Sequence, residues 1–383
     1  MKLFAGRSRR FKKMVSVIAL ATLVLGLSGC QTISFYAQAA KGQYQIFAHQ
    51  QPLEKVIADP ATTPLLKARL ELVQHLRIYA DEKLHLPVDG HYRSYVDLHR
   101  PFVVWNVQAA PEFSLEPKTW WYPLVGSLDY RGYFSREGAT RYAAWLRKKK
   151  GYDLFVGGVE AYSTLGWFKD PVLNTFIEEP DASLAELLFH ELAHQTVFAR
   201  GDTDFNEAFA TTVGEEGALR WLAGATDGQR KSYTDYLHRN NQFVELIMKT
   251  RGRLEVLYGD TRDKEGKLRA RRQKRVVAPE ELRRDKEQIL RDLRNEFAAL
   301  KQSWGGDTSH DFWFSREVNN AQLNSVAAYY DLVPGFQELL KVNAGDLSAF
   351  YTAAERLAKM PRDERHEWLR VLAQSGSGKK SPI

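Results

Sequence analysis

Apolar positions divide the chain into stretches of different period. Leu65, Leu66, Leu70, Leu72, Val73, Leu76 and Ile78 recur at helical spacing. They predict one long amphipathic helix in "TTPLLKARLELVQHLRIYADEKL", with Pro60 and Pro64 before it and Pro87 after it. A shorter amphipathic helix is expected ahead of it in "ISFYAQAAKGQYQIFAHQ". Residues 96–180 change character. "RPFVVWNVQAAPEF", "WWYPLVGSLDYRGYF" and "YDLFVGGVEAYST" are β-branched and aromatic runs bounded by Pro and Gly, and read as strands. "REGATRYAAWLRKKKG" between them reads as a helix closed by Gly151. These runs predict a small mixed sheet crossed by at least one helix.

The helical period returns after residue 180. Asp181 or Ser183 is placed to cap "LAELLFHELAHQTVFA", which Gly201 ends. A turn is expected at Asp202–Asp204, followed by a second helix in "NEAFATTVGEEGALRWLAG". From residue 226 nearly everything reads as helix, notably "QRKSYTDYLHRNNQFVELIMKTRGRLEVLYG" and "PEELRRDKEQILRDLRNEFAALKQSW". The dense basic tract 262–276 reads as a solvated loop or helix end, and the tail 376–383 as disordered.

Composition changes the picture at the N-terminus. The chain has 383 residues, enough for two or three domains, and its 9 Trp, 17 Tyr and 20 Phe favour a packed or ligand-binding fold over disorder. Its net charge is +7, but Lys2, Arg7, Arg9, Arg10, Lys12 and Lys13 supply six of those cations before residue 30. Without them 48 basic residues face 47 acidic ones, which removes the main support for a nucleic-acid partner. The basic n-region precedes the apolar run Met14–Leu27, which is short for a membrane span. Leu27-Ser28-Gly29-Cys30 then resembles a bacterial lipobox. This predicts a signal peptide over 1–29, acylation at Cys30, and a lipid-anchored protein of the bacterial envelope. Gln31 after the cysteine resembles the outer-membrane sorting pattern, with the globular part facing the periplasm. Cys30 is the only cysteine, so no intramolecular disulfide supports the fold.

The candidate chemistry lies in "FHELAHQTVFARGDTDFNEAFAT", residues 189–211. On a helix His190 and His194 share a face and can point at one ion. Glu191 sits where its carboxylate can reach a water on that ion. A catalytic zinc usually has three protein ligands and a water, so a third ligand is needed. An antiparallel second helix could present Glu207; Glu215, further along, is the rival. Tyr162, Tyr329, Tyr330 and His310 are candidates to hold an oxyanion.

"HELAH" followed by "NEAFA" resembles the gluzincin clan of zinc peptidases. In the aminopeptidase N family an Asn-Glu-x-Phe-Ala segment supplies the third zinc ligand, which maps that role onto Glu207. The spacing here is shorter than in that family. A closer resemblance, to a family of predicted bacterial aminopeptidases, runs over nearly all of the mature length. It is carried by "VVWNVQAAPEFSLEPKTWWYPLVGSLDYRGYF", "AYSTLGWFKDPVLNT", "LFHELAHQTVF", "DFNEAFATTVGEEG" and "NNAQLNSVAAYYDLVPGF". The aminopeptidase N family also anchors the substrate amine with a Glu in a Gly-x-x-Glu segment. Gly157-Gly158-Val159-Glu160 is similar, making Glu160 the candidate anchor. Tyr162–Gly166 is a candidate edge for binding substrate backbone.

The expectation is an α+β, mostly helical protein. Signal peptide 1–29 and an N-terminal helical segment 30–95 precede a zincin-like core over 96–225 with a small mixed sheet and an active-site helix. A C-terminal helical segment 226–375 and the tail 376–383 follow. The HELAH residues imply one Zn2+ per chain with Glu191 as general base, the resemblance implies aminopeptidase activity on a peptide substrate, and the charge balance implies no nucleic acid. An envelope endopeptidase of the same type, or a non-enzymatic lipoprotein scaffold or chaperone, are the alternatives.

Overall fold

The computed structural model describes residues 32–123, 125–164, 168–262, 268–269 and 277–376. The expected signal peptide, Cys30, Leu165 and Gly166, most of the basic tract and residues 377–383 lie outside the described residues. The chain forms two compact units, Met1–His49 and Gln50–Ile383. In the first, residues 32–48 form the expected helix, α1.

The second unit opens with β1 (Gln51–Pro52), α2 (Leu53–Ala58) and α3 (Pro64–Leu84). Thr63 caps α3 by accepting from the Leu66 amide, Pro64 sits in its first turn, and His85 leaves it in the left-handed conformation. Leu70, Val73, Leu76, Ala80 and Leu84 form its buried stripe. Leu65 and Ile78, expected on that face, are exposed.

Four short strands follow: β2 (Ser94–Val96), β3 (Val104–Pro111), β4 (Trp120–Tyr122) and β5 (Gly126–Leu128). After them come β6 (Arg131–Tyr133), α4 (Arg136–Lys150), β7 (Tyr152–Val159) and β8 (Val172–Leu173). The main sheet has the order β6–β3–β7 and is antiparallel throughout, where a mixed sheet was expected. The reason is topological. α4 connects β6 to β7, two strands of like direction, but β3 lies between them and runs opposite to both. Among the described residues parallel pairing is confined to β2 and β8, and the separate small sheet that they form with β1, antiparallel to β2, is the mixed one. α4 buries Ala139, Ala143 and Leu146 and packs against β3 and β7. Ser135 caps it and Gly151, at φ 63°, closes it as expected.

Helices make up the remainder: α5 (Asp181–Ala193), α6 (Thr203–Trp221), α7 (Asp227–Tyr258), α8 (Pro279–Ser303), α9 (Asp311–Phe314), α10 (Asn320–Tyr330), α11 (Val333–Val342), α12 (Leu347–Lys359) and α13 (Arg362–Gly376). Among the described residues the only strands between them are the two-residue β9 (Thr261–Arg262) and β10 (Leu268–Arg269). The fold is mostly helical with small sheets, consistent with α+β. α7 and α8 pack together over a core that includes Phe243, Ile247, Leu254, Leu293 and Phe297. Tertiary bonds fasten α10 to the main sheet. Asn320 Nδ2 donates to the carbonyls of Pro111, Glu112 and Ser114, each at 3.0 Å, and Asn319 Nδ2 to that of Leu154. These bonds fix which face of α10 meets α6.

Candidate metal centre

The start of α5 is set from a distance. Arg69 on α3 donates to the carbonyls of Ile177 (2.8 Å) and Glu179 and pairs with Asp181. Neither Asp181 nor Ser183 caps the helix as expected: Pro180 is the N-cap residue and no side chain bonds there. The helix is also shorter than expected, stopping at Ala193. His194 is its C-cap residue and keeps right-handed backbone angles (φ −58°, ψ −18°), so it still shares a face with His190.

The reversal between α5 and α6 is tight. Buried Asn206 closes it: its Oδ1 accepts from the Ala199 amide (2.7 Å) and its Nδ2 donates to the Ala199 carbonyl (2.9 Å). Gly201, at φ 75°, donates its N–H to the Val125 carbonyl, and a Cβ on Gly126 would come within 3.1 Å of its backbone. α6 begins at Thr203, earlier than expected, because Asp202 is its N-cap residue rather than part of a free turn. The helix is buried on every side, with Phe205, Ala208, Phe209, Val213 and Ala218 among its buried residues. A Cβ on Gly214 would lie 2.8 Å from the Glu186 carbonyl oxygen and 3.2 Å from His190 Cβ. That contact, with Glu207 near both histidines, makes α5 and α6 antiparallel and closely packed.

Three ligand atoms converge as a result. His190 Nε2 and His194 Nε2 are 3.2 Å apart, and Glu207 Oε2 lies 3.4 and 3.6 Å from them. Tetrahedral bonds of about 2.0–2.1 Å to an ion put ligand atoms about 3.3 Å apart. The triangle therefore fits one small cation. Its electrostatics agree. Burial raises the Glu207 carboxyl's proton affinity, but the two imidazoles outweigh it and bring its pKa down to about 2. Burial lowers the pKa of His190, while at His194 it is outweighed by Glu207, which raises it. Glu215, the rival ligand, is not in this group; its carboxyl neighbours Glu186 and Gln337.

Glu191 is buried beside the triangle, and its Oε2 has no hydrogen-bond partner. Burial pushes its pKa up to about 8; His194 opposes this, and the carboxylates of Glu207 and Asp170 add to it. Tyr329 at the end of α10 stacks on the His190 ring, with centroids 6.2 Å apart and planes at 24°. The Glu207 charge and then burial hold its hydroxyl well above the usual range, so it stays a donor. Sequence reasoning missed two neighbours. Tyr130 is raised by burial and by Glu207 and Glu191, and nothing in its spacing separates it from Tyr122 or Tyr133. Asp170 acts on Glu191, accepts from Thr164 Oγ1 (2.7 Å) and bonds through its amide to His91 Nδ1 (3.1 Å).

The other candidates lie elsewhere. Tyr330 accepts from Asn240 Nδ2 (3.0 Å) and faces Tyr236, Glu215 and Glu186. His310 packs on Phe243, with ring centroids 4.3 Å apart, and against Trp304. Glu160 lies just past the end of β7; its carboxyl is raised by burial and by Glu179, and its carbonyl accepts from Thr175 Oγ1. Tyr162 meets Phe134 edge to face at 6.3 Å. Residues 162–164 form no strand, against expectation, because Thr164 closes a loop on Asp170 instead of joining a ladder.

A second group of metal-ligand type, Asp202, Asp204 and His366, lies at the start of α6. Its carboxylates already have partners. His366 Nε2 is 2.8 Å from Asp202 Oδ2, Arg365 Nε is 3.2 Å from the same oxygen, and Arg362 Nη2 is 2.8 Å from Asp204 Oδ2.

Comparison with known proteins bears on the chemistry. A family model described as "Putative aminopeptidase" matches residues 34–369. No curated protein and no solved structure matches the chain. The chain belongs to that family, and the membership supports peptidase activity.

Proposed function

We propose that this member of the family is a zinc-dependent metallopeptidase of gluzincin type, with a zincin-like core, that removes N-terminal residues from peptides. The observation that carries the reading is the near-equilateral triangle of His190, His194 and Glu207 with the Glu191 carboxylate, its Oε2 unpartnered, beside it. His190 and His194 would hold the metal through Nε2 and Glu207 through its carboxylate. Two imidazoles and a carboxylate suit zinc among the common divalent ions. When bound, zinc would lower the pKa of a water and polarise the scissile carbonyl. Glu191 takes the proton from the attacking water and passes it to the leaving amine. The Tyr329 hydroxyl donates to the carbonyl oxygen as that oxygen gains charge. Burial of the site keeps bulk water from weakening these interactions.

The reading also includes acylation at Cys30 and an outer-membrane anchor facing the periplasm. Its support is the basic n-region, the short apolar run and the lipobox. Among the described residues no helix is long and apolar enough to cross a membrane, and a lipid anchor needs none.

Elemental analysis and peptide turnover on the full-length protein test the proposal. Wild type should carry about one zinc per chain. Glu191→Gln should keep the zinc and lose roughly 10²- to 10⁴-fold in turnover. Normal turnover by that variant, or a wild type that takes up no zinc, would sink the mechanism. Aminoacyl anilides set against an internally quenched peptide separate N-terminal cleavage from internal cleavage.

A further inference from the structure

The chemistry above leaves unused an acidic recess one helical turn from the metal-ligand set. Glu186 and His190 are four apart on α5, on the same face and about 6 Å apart along the axis. Glu215 lies two turns beyond Glu207 on the antiparallel helix, which brings its carboxyl to Glu186. Tyr233 donates its hydroxyl to Glu186 Oε2 at 2.9 Å, and Tyr236 and Tyr330 face both carboxyls.

Two features make this more than a pair of buried acids. Glu215 is 6% exposed; its carboxyl meets Gln337, and its Oε1 has no hydrogen-bond partner. Among the described residues no basic side chain forms an ion pair with either carboxylate. Glu186 keeps part of its surface exposed, on the side from which a ligand would reach the recess. Burial pushes Glu186 up to about 7 and Glu215 up to about 8, the latter helped by the Glu186 charge. An arriving cation would relieve both the repulsion and the unmade bond. The walls select its kind. A hydrated hard metal ion wants several oxygen ligands, whereas here two carboxylates are backed by tyrosine rings. An ammonium group offers three N–H donors and a charge that aromatic faces attract.

Resting on the peptidase reading, we propose that Glu186 and Glu215 form a subsite for a protonated primary amine of the peptide substrate. Two sources share this chemistry: the substrate's N-terminal ammonium and a lysine side chain near the scissile bond.

Calorimetric titration of the full-length protein in detergent tests the assignment, using L-leucinamide, N-acetyl-L-leucinamide and N-acetyl-L-lysinamide as probes. One of the two amine-bearing probes should bind wild type, and which one does identifies the source. Its binding should weaken about tenfold or more in both Glu186→Gln and Glu215→Gln, the scale of a lost charge-assisted hydrogen bond. Glu160→Gln should leave it unchanged. Binding no better than that of N-acetyl-L-leucinamide, or a loss seen only in Glu160→Gln, overturns the proposal. Should Glu215→Gln fail to fold, Glu186→Gln, at the more exposed of the two positions, decides. Zinc content and neutral-peptide turnover on the same samples keep the two readings apart. Zinc and turnover without amine selectivity would remove the subsite and leave the peptidase, and amine binding without zinc would do the reverse.

Discussion

Two clusters on α6 look alike as residue inventories and differ as chemistry. Glu207 meets His190 and His194, and within the preceding five residues Asp202 and Asp204 meet His366. Each offers three ligand atoms within 4.8 Å of one another. Around the first group the charged neighbours are carboxylates, Glu191 and Asp170. Around the second, Arg362 and Arg365 have already matched the negative charge. The first is left with negative charge and converging lone pairs; the second is an ion-pair network that ties α13 to the start of α6. Ligand type and spacing are therefore not enough to make a metal site. What else faces the carboxylates decides.

The largest expected effect separates the two clusters outright. Glu207→Ala should drop zinc content from about one ion per chain to near zero while the protein stays folded. Asp202→Asn should do the opposite. It leaves Arg362, Arg365 and His366 around an uncharged amide at a position 1% exposed. Breaking such a buried network costs about 3–5 kcal/mol of stability. The folded fraction should still bind zinc. Elemental analysis and urea unfolding on both variants read the two effects. Zinc lost from natively folded Asp202→Asn would mean the clusters are not independent.

A pH series sharpens the contrast at intermediate scale. Burial alone would raise the Asp202 pKa, but the His366 hydrogen bond and charge, with Arg362 and Arg365, bring it below the usual carboxylate range. The folded state thus binds this proton more weakly than the unfolded chain. The resulting stability is fully present above the unfolded value of about 3.9 and is lost as pH falls through the folded value. Wild type should therefore lose its advantage over Asp202→Asn as urea midpoints are followed from neutral pH into that range. A difference that stays constant down to about pH 3 would contradict the assigned cause.

How much of this the sequence discloses depends on the range of the interactions involved. HELAH and NEAFA are legible because four-residue helical spacing and a short reversal bring their side chains together with local geometry alone. Helix ends are less so. The reversal depends on two bonds from Asn206 to Ala199, and α5 begins where Arg69, over a hundred residues upstream, holds its entry. Tyr329 and Tyr330 cannot be ranked from sequence, since successive helical residues differ by about 100° in direction. Bonds from Asn320 to the 111–114 backbone set the rotation of α10, and with it which tyrosine meets His190. Composition hides the recess as well: Glu186 reads as an ordinary helix carboxylate until α6 and α7 close over it. Which strands make up the mixed sheet is not legible, because local strand signals carry no strand order.

The smallest expected effect tests why the first cluster needs so close an approach of its helices. In an exposed helix interior, Ala would be favoured over Gly by about 1 kcal/mol. At Gly214 the added methyl meets the Glu186 carbonyl at 2.8 Å and His190 Cβ at 3.2 Å, one of them backbone and the other anchored to it. Neither can swing aside, so α5 and α6 must separate by a few tenths of an ångström, at a cost of about 1–3 kcal/mol. Long arginines at the second cluster can follow such a shift, whereas two short imidazoles and one Glu on facing helices cannot. Gly214→Ala should therefore weaken zinc binding several-fold and lower the melting temperature of the zinc-free protein by a few degrees. The pH response of Asp202 should be untouched. Should zinc affinity in Gly214→Ala equal that of wild type, the ligand triangle must owe its shape to the reversal held by Asn206 rather than to the helix contact.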